Sequence, residues 1–289
     1  PTPAATGTCS LRAREDWVAA QMQEWYLFPD ELPTSVNPAA YTTLSAYLDA
    51  LTANARAKGW DRNFTYMTTI SDEDAYYSAG TMVGMGFRLG FDQGSSRLFI
   101  IEAFEGGPAL AAGIDRGDEI LAIGTNASSM QSVSSIYASS GTAGLVNALN
   151  ADTAGVTRVL QVRDTDGSVH NVTLSAASYD LDAVSPRYGA KVIDDGGTKV
   201  GYINLRSFIT SADPALQQAF ANFKAQGITK IIVDLRYNGG GLLSVAQTLA
   251  SLLGGDRHSS DVFAHLAYRP SKASQDQDYY FQPSSDSVS

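Results

Sequence analysis

The stretch from residue 228 to residue 253 most constrains what this chain can fold into. Residues 228–235 form a nearly continuous apolar run, the pattern of a strand buried on both faces. The run breaks at Asn-Gly-Gly-Gly (238–241) and resumes as a helical pattern over 242–253. Upstream, residues 200–205 read as a strand. A helix follows, opened by Asp213-Pro214, with Leu216, Phe220 and Phe223 on one face and Gly227 as its stop. Strand, helix, strand, helix specifies an α/β domain whose central strands are covered by helices.

The rest of the chain has a different texture. Over 81–174, short apolar runs alternate with glycine turns: 83–89, 98–101, 118–123, 158–163 and 170–174, the last two joined by Asp-Thr-Asp-Gly, whose Asp-Gly is a hairpin signal. Residues 128–150 read as helix or loop, and 180–198 as a linker. Near the N-terminus, Trp17, Val18, Met22 and Trp25 recur at helical spacing, so this aromatic stripe reads as core. A second helix is expected from Asn37 as cap and Pro38 as first residue, with Tyr41, Leu44, Tyr47, Leu48 and Leu51 on one face. The tail from 254 on is polar and reads as loop.

Composition narrows the function classes. A net charge of −10 with 20 scattered basic residues argues against a nucleic-acid partner. One cysteine, Cys9, excludes an internal disulfide and a multi-cysteine zinc site. His170, His258 and His265 lack metal-ligand spacing and read as surface or packing residues.

Two glycine turns carry chemistry. Gly84-Met85-Gly86-Phe87 leads into a strand, where glycines leave successive N–H groups open and Phe87 can line an apolar pocket, a geometry suited to a peptide's terminal carboxylate. Gly240 and Gly241 stand where a strand turns into a helix, so their N–H groups suit a negative oxygen, either a phosphate or the oxyanion of acyl transfer. The spacing lacks the third glycine of a dinucleotide site, and no Gly-Lys-Ser/Thr occurs. Asp234, Arg236 and Asn238 read as residues that hold the turn by hydrogen bonds.

The segment Asp-Leu-Arg-Tyr-Asn-Gly-Gly-Gly-Leu at 234–242 resembles the C-terminal processing peptidases, or tail-specific proteases. Gly-Met-Gly-Phe at 84–87, taken with Pro-Ala-Leu-Ala-Ala-Gly-Ile-Asp-Arg-Gly-Asp-Glu-Ile-Leu at 108–121, resembles the PDZ domains of bacterial proteases. The resemblance implies a multidomain α+β chain: an N-terminal helical cap at 1–80, a PDZ-like β-rich module at 81–178, and the first, incomplete part of an α/β, crotonase-like protease domain at 179–289. It implies oxyanion-hole N–H groups at Gly240 and Gly241, and capture of unstructured protein or peptide C-termini at Gly84, Met85, Gly86 and Phe87. It also implies a Ser/Lys dyad, expected beyond Ser289, so that this piece alone is an inactive part of a serine endopeptidase. No cofactor, metal, nucleotide or nucleic acid is implied; a homo-oligomer and a bacterial periplasmic or cell-envelope location are compatible. A non-catalytic peptide-binding scaffold is the alternative.

Overall fold

The structure is a computed structural model that describes residues 10–288, so Cys9 lies outside it. The chain divides into two compact units, residues 1–69 with 259–281, and residues 70–258 with 282–289.

The first unit packs α1 (Leu11–Trp25) against α2 (Leu44–Ala57). Ser10 caps α1 by accepting from the Ala13 N–H, and Thr43 caps α2 by accepting from the Ala46 N–H. Val18, Met22, Tyr26, Tyr47, Leu48, Leu51 and Ala55 form its core. Two expectations need correction. Asn37-Pro38 opens only a 3-10 turn (Pro38–Ala40), and the α-helix starts six residues later, because Thr43 offers the second cap. The tryptophans of α1 are not core. Trp17 is 60% exposed and Trp25 42%, since the buried face of α1 is centred on Val18 and Met22. They line a cavity of about 620 Å³ together with Trp60, Phe64 and Tyr66. The polar tail also has structure: a hairpin of Val262–Leu266 and Gln277–Tyr280 lies in this unit, tied to α1 by Lys272–Glu24 and by Arg269 donating to the Gln23 carbonyl.

The second unit begins with α3 (Ile70–Ala79), followed by β1 (Thr81–Gly84), β2 (Phe87–Asp92) and β3 (Arg97–Ala103). Next come α4 (Pro108–Ala111), β4 (Glu119–Gly124), β5 (Gln131–Ser132), α5 (Val133–Leu149), β6 (Thr157–Arg163), β7 (Val169–Ser175) and β8 (Ala177–Asp180). An antiparallel sheet runs in the order β2-β3-β4-β6-β7, with β5 added to β4, while β1 pairs with β8. The β6–β7 turn closes through Asp-Thr-Asp-Gly as expected, with Gly167 at φ +92°. The apolar run 83–89 is not one strand. It breaks at Gly86, whose φ of +81° lets its backbone approach Gly107.

The remaining elements are β9 (Lys191–Asp195), β10 (Thr198–Asn204), α6 (Ala212–Ala225), β11 (Ile231–Asp234) and α7 (Leu243–Leu253). β10 lies between β11, parallel to it, and β9, antiparallel. The segment read as a linker thus supplies a third strand. Among the described residues β11 is an edge strand and is not covered on both faces: Ile232 is 49% exposed and Leu235, just after the strand, 42%. Phe220, Phe223 and Leu216 of α6 and Val245, Leu249 and Leu252 of α7 share one core with Ile203 and Leu205. Gly201 is the close-approach point there, because a Cβ would press on Ile231 and the Phe223 ring. Tyr76 and Tyr77 of α3 pack on the same core.

Candidate functional site

The turn between β11 and α7 is assembled from within. Asp234, buried at the end of β11, accepts from the Tyr202 hydroxyl at 2.6 Å and from the Arg236 guanidinium and backbone N–H. The Arg236 guanidinium holds the Asp234 carboxyl well below the ordinary carboxylate range, against the upward push of burial. Tyr237 turns the chain at φ +67°. Asn238 then acts as the clasp: its Nδ2 donates to the Leu205 carbonyl at 2.9 Å, and its Oδ1 accepts from the Gly240 N–H at 2.7 Å. Asp234, Arg236 and Asn238 therefore do the holding that their positions suggested.

Residues 207–208 form the other wall. The Phe208 N–H donates to the Gly240 carbonyl at 3.0 Å, and the Leu242 N–H donates to the Phe208 carbonyl at 2.7 Å. These two bonds make a parallel bridge between Phe208 and Gly241, and that pattern turns the Gly241 N–H away from residue 208. Gly241 has φ +140°, and a Cβ there would overlap the Phe208 carbonyl. The two turn glycines thus differ. The Gly240 N–H is engaged by Asn238, whereas Gly241 is exposed and its N–H has no acceptor among the described residues. That amide stands two residues before the first residue of α7, where the helix dipole also favours negative charge.

The other glycine turn opens onto a groove of about 430 Å³, lined by Met85, Phe87 and Leu89 on one side and by Leu145, Val146 and Leu149 of α5 on the other. β2 is the edge strand of its sheet, so one row of its backbone groups is unpaired along this groove. The carbonyls of Met85 and Gly86 are occupied by the N–H groups of Ala109 and Phe104, while the N–H groups of Met85 and Gly86 meet no acceptor among the described residues. Gly84, Met85 and Phe87 line the groove. Gly86 shapes it from behind, where a Cβ would come within 2.7 Å of Gly107. An apolar groove beside an unpaired strand edge and free amides can add an extended peptide as a further strand and hold its carboxylate.

Several contributors were not visible beforehand. The α5 wall lay in a segment without clear periodicity, and Ser207 and Phe208 lay in a loop. The clasp function of Asn238 depends on a contact with Leu205, 33 residues away. Among the described residues no group of three or more potential metal ligands is assembled. His265 Nδ1 donates to the Asp278 carboxylate at 2.7 Å and His170 lies near Asp164, as surface pairs.

Comparison with known proteins places this geometry. The model for peptidase family S41 matches residues 199–284, spanning the glycine turn, and the model for the peptidase S41 N-terminal domain matches residues 13–66. Residues 13–66 and 199–284 thus carry the sequence patterns of peptidase family S41. Among relatives of this family, the chloroplastic C-terminal processing peptidase of Tetradesmus obliquus is 30% identical over 181 residues, 61% of this chain and 38% of the relative. Carboxyl-terminal-processing peptidase 3 of Arabidopsis thaliana, also chloroplastic, is 27% identical over 228 residues, 75% of this chain and 40% of the relative. The chain spans about two fifths of the length of these relatives. A crystal structure described as a putative S41 protease from Bacteroides fragilis superposes with a TM-score of 0.58 at 23% identity. It covers 92% of this chain and 66% of that one, so the S41 chains share a fold.

Proposed function

We propose that this chain supplies the tail-binding and oxyanion-stabilising parts of a serine endopeptidase that recognises and cleaves near protein C-terminal tails. The observation that carries this reading is the exposed, acceptor-free N–H of Gly241 on a turn locked by Asn238 and Phe208. When a nucleophile adds to a peptide carbonyl, the oxygen gains a full charge, and a fixed N–H donor aimed at it lowers the barrier. One such donor is worth about 3 kcal/mol, or roughly 10²–10³ in rate. Gly241 is the donor in this proposal. Gly240 gives the turn its shape and spends its own N–H on Asn238.

Residues 81–178 form the PDZ-like module, in which a substrate tail adds to β2 and its carboxylate meets the amides of the 84–87 turn. The helical cap expected at 1–80 is cut back to residues 1–69 and takes in 259–281, so that α3 and, of residues 179–289, only 179–258 and 282–289 go to the protease domain. Lys224 donates to the carbonyls of Ser285 and Ser287, and Lys272 pairs with Glu24, so neither is read as the base. In this proposal the Ser/Lys dyad that performs the hydrolysis lies outside residues 10–288. An exported, periplasmic or envelope location belongs to the same proposal, and cell fractionation tests it.

Mass spectrometry of an unstructured protein substrate tests the cleavage. A protein that joins this chain to a Ser/Lys dyad is expected to release C-terminal peptides, and residues 1–289 alone to give no serine-inhibitor-sensitive turnover. Cleavage at sites unrelated to the C-terminus, or turnover by residues 1–289 alone, would contradict the reading.

A further inference from the structure

Arg206 is the largest fully buried side chain among the described residues, 1% exposed. Its guanidinium donates through Nε to Glu102 Oε1 at 2.6 Å, pairs with Glu105 Oε2 at 2.6 Å, and lies over the Phe104 ring at 5.5 Å. Arg88 completes the cluster, pairing with the other oxygen of Glu102 and lying over the same Phe104 ring at 5.3 Å. The cluster is neutral: two arginines and two glutamates. Glu105 feels burial pushing its carboxyl up and Arg206 pulling it down, and the pull prevails. Replacing a buried ion cluster with apolar groups is often neutral or stabilising. Its effect here is therefore sought in placement.

What Arg206 places is its own continuation. Its backbone N–H donates to the Ala183 carbonyl at 2.7 Å, and the next two residues are Ser207 and Phe208. Ser207, also buried, shares a hydrogen bond with the Tyr76 hydroxyl at 2.8 Å and reaches the Gly240 carbonyl at 3.4 Å. Phe208 makes the two backbone bonds that set the Gly240–Gly241 conformation. On the other side, Glu102 is the penultimate residue of β3 and Glu105 follows the strand, and Phe104 between them donates to the Gly86 carbonyl.

We propose that Arg206 is a positioning residue: anchored by Glu102 and Glu105, it fixes Ser207 and Phe208, and through them the direction of the Gly241 N–H. This inference rests on Gly241 as the oxyanion donor for its use, but its geometry can be read without any hydrolysis.

Three variants test it: Arg206→Lys, Glu105→Gln, and Arg206→Met combined with Glu105→Gln, in which the remaining Glu102 keeps Arg88 as its partner. With glycine-selective 15N labelling of the chain, Gly240 and Gly241 cross-peaks and Gly240 amide exchange are recorded, alongside affinity for a peptide with a free C-terminus. The expected result is a shift of both cross-peaks and Gly240 exchange faster by roughly tenfold, about the net worth of one hydrogen bond. Arg206→Lys should be intermediate, and peptide affinity should stay within about twofold because the groove is intact. A purely structural role would change melting temperature alone. Unchanged Gly240 and Gly241 signals in a folded variant overturn the proposal. Glu105 is partly exposed, so Glu105→Gln decides the matter if the double variant does not fold. Failure of the protease reading shows separately, as absent tail cleavage with the wild-type turn present.

Discussion

The two glycine turns look alike in sequence and work by different physics. At 84–87 the indispensable glycine is Gly86, which permits two backbone segments to touch; the groove chemistry comes from its neighbours and from α5. At 238–241 the indispensable glycine is Gly241, whose backbone conformation both forbids a side chain and leaves its own N–H open. Gly84 and Gly239, by contrast, have open space around their Cα hydrogens and no positive φ. A glycine run therefore marks a turn, but the packing against Gly107 or Phe208 decides which glycine matters.

The largest effect should come from Gly241→Ala. The new Cβ meets the Phe208 carbonyl at a φ that L-residues rarely adopt, so turnover of the dyad-bearing protein should fall by about 10² or more. Peptide affinity at the groove should not move. Loss of both would show that the two turns are not separable. Next is Gly86→Ala, strained at φ +81° and in contact with Gly107. It should destabilise by about 2 kcal/mol and weaken peptide binding roughly tenfold, as read by melting curves and fluorescence titration.

A smaller effect concerns pH. Asp234 has a carboxyl pKa lowered in the fold by Arg236. Its contribution to stability is therefore fully present above the ordinary aspartate range, near pH 4, and is lost as pH falls through the lower folded value. Denaturant unfolding of wild type and Asp234→Asn should show a stability gap that is constant from neutral pH down to about 5 and narrows below 4. A gap that widens in acid would remove Asp234 as the charged anchor of the turn. The smallest effects belong to Gly84→Ala and Gly239→Ala, each expected within about 0.5 kcal/mol of wild type. A large loss at either position would break the distinction drawn between the glycines.

Much of this architecture was legible in the sequence because apolar period and turn residues agreed: the β6–β7 hairpin, α6 with its Phe220–Phe223 face, and the strand–glycine–helix at 231–253. α3 was hidden because it carries no apolar stripe; Ile70 at its start is 80% exposed and only Tyr76 and Tyr77 pack inward. β9 was hidden although Asp194-Asp195-Gly196-Gly197 is a hairpin signal, with both glycines at positive φ and Asp194 accepting from the Gly197 N–H. The buried face of β11 was overestimated since an apolar run does not say whether a second helix layer covers it. For the site, the glycine positions were readable. Their division of labour was not, because Asn238, Phe208 and Arg206 act through partners far away in the chain.

The central claim is that the groove beside β2 holds the free C-terminus of an extended chain. Fluorescence titration of residues 1–289 with one apolar-ended peptide, carrying either a free carboxylate or a carboxamide, tests it most directly. The account predicts that amidation weakens binding at least tenfold, with the same penalty abolished in Gly86→Ala. Equal affinity of the two peptides for the wild-type chain would contradict it.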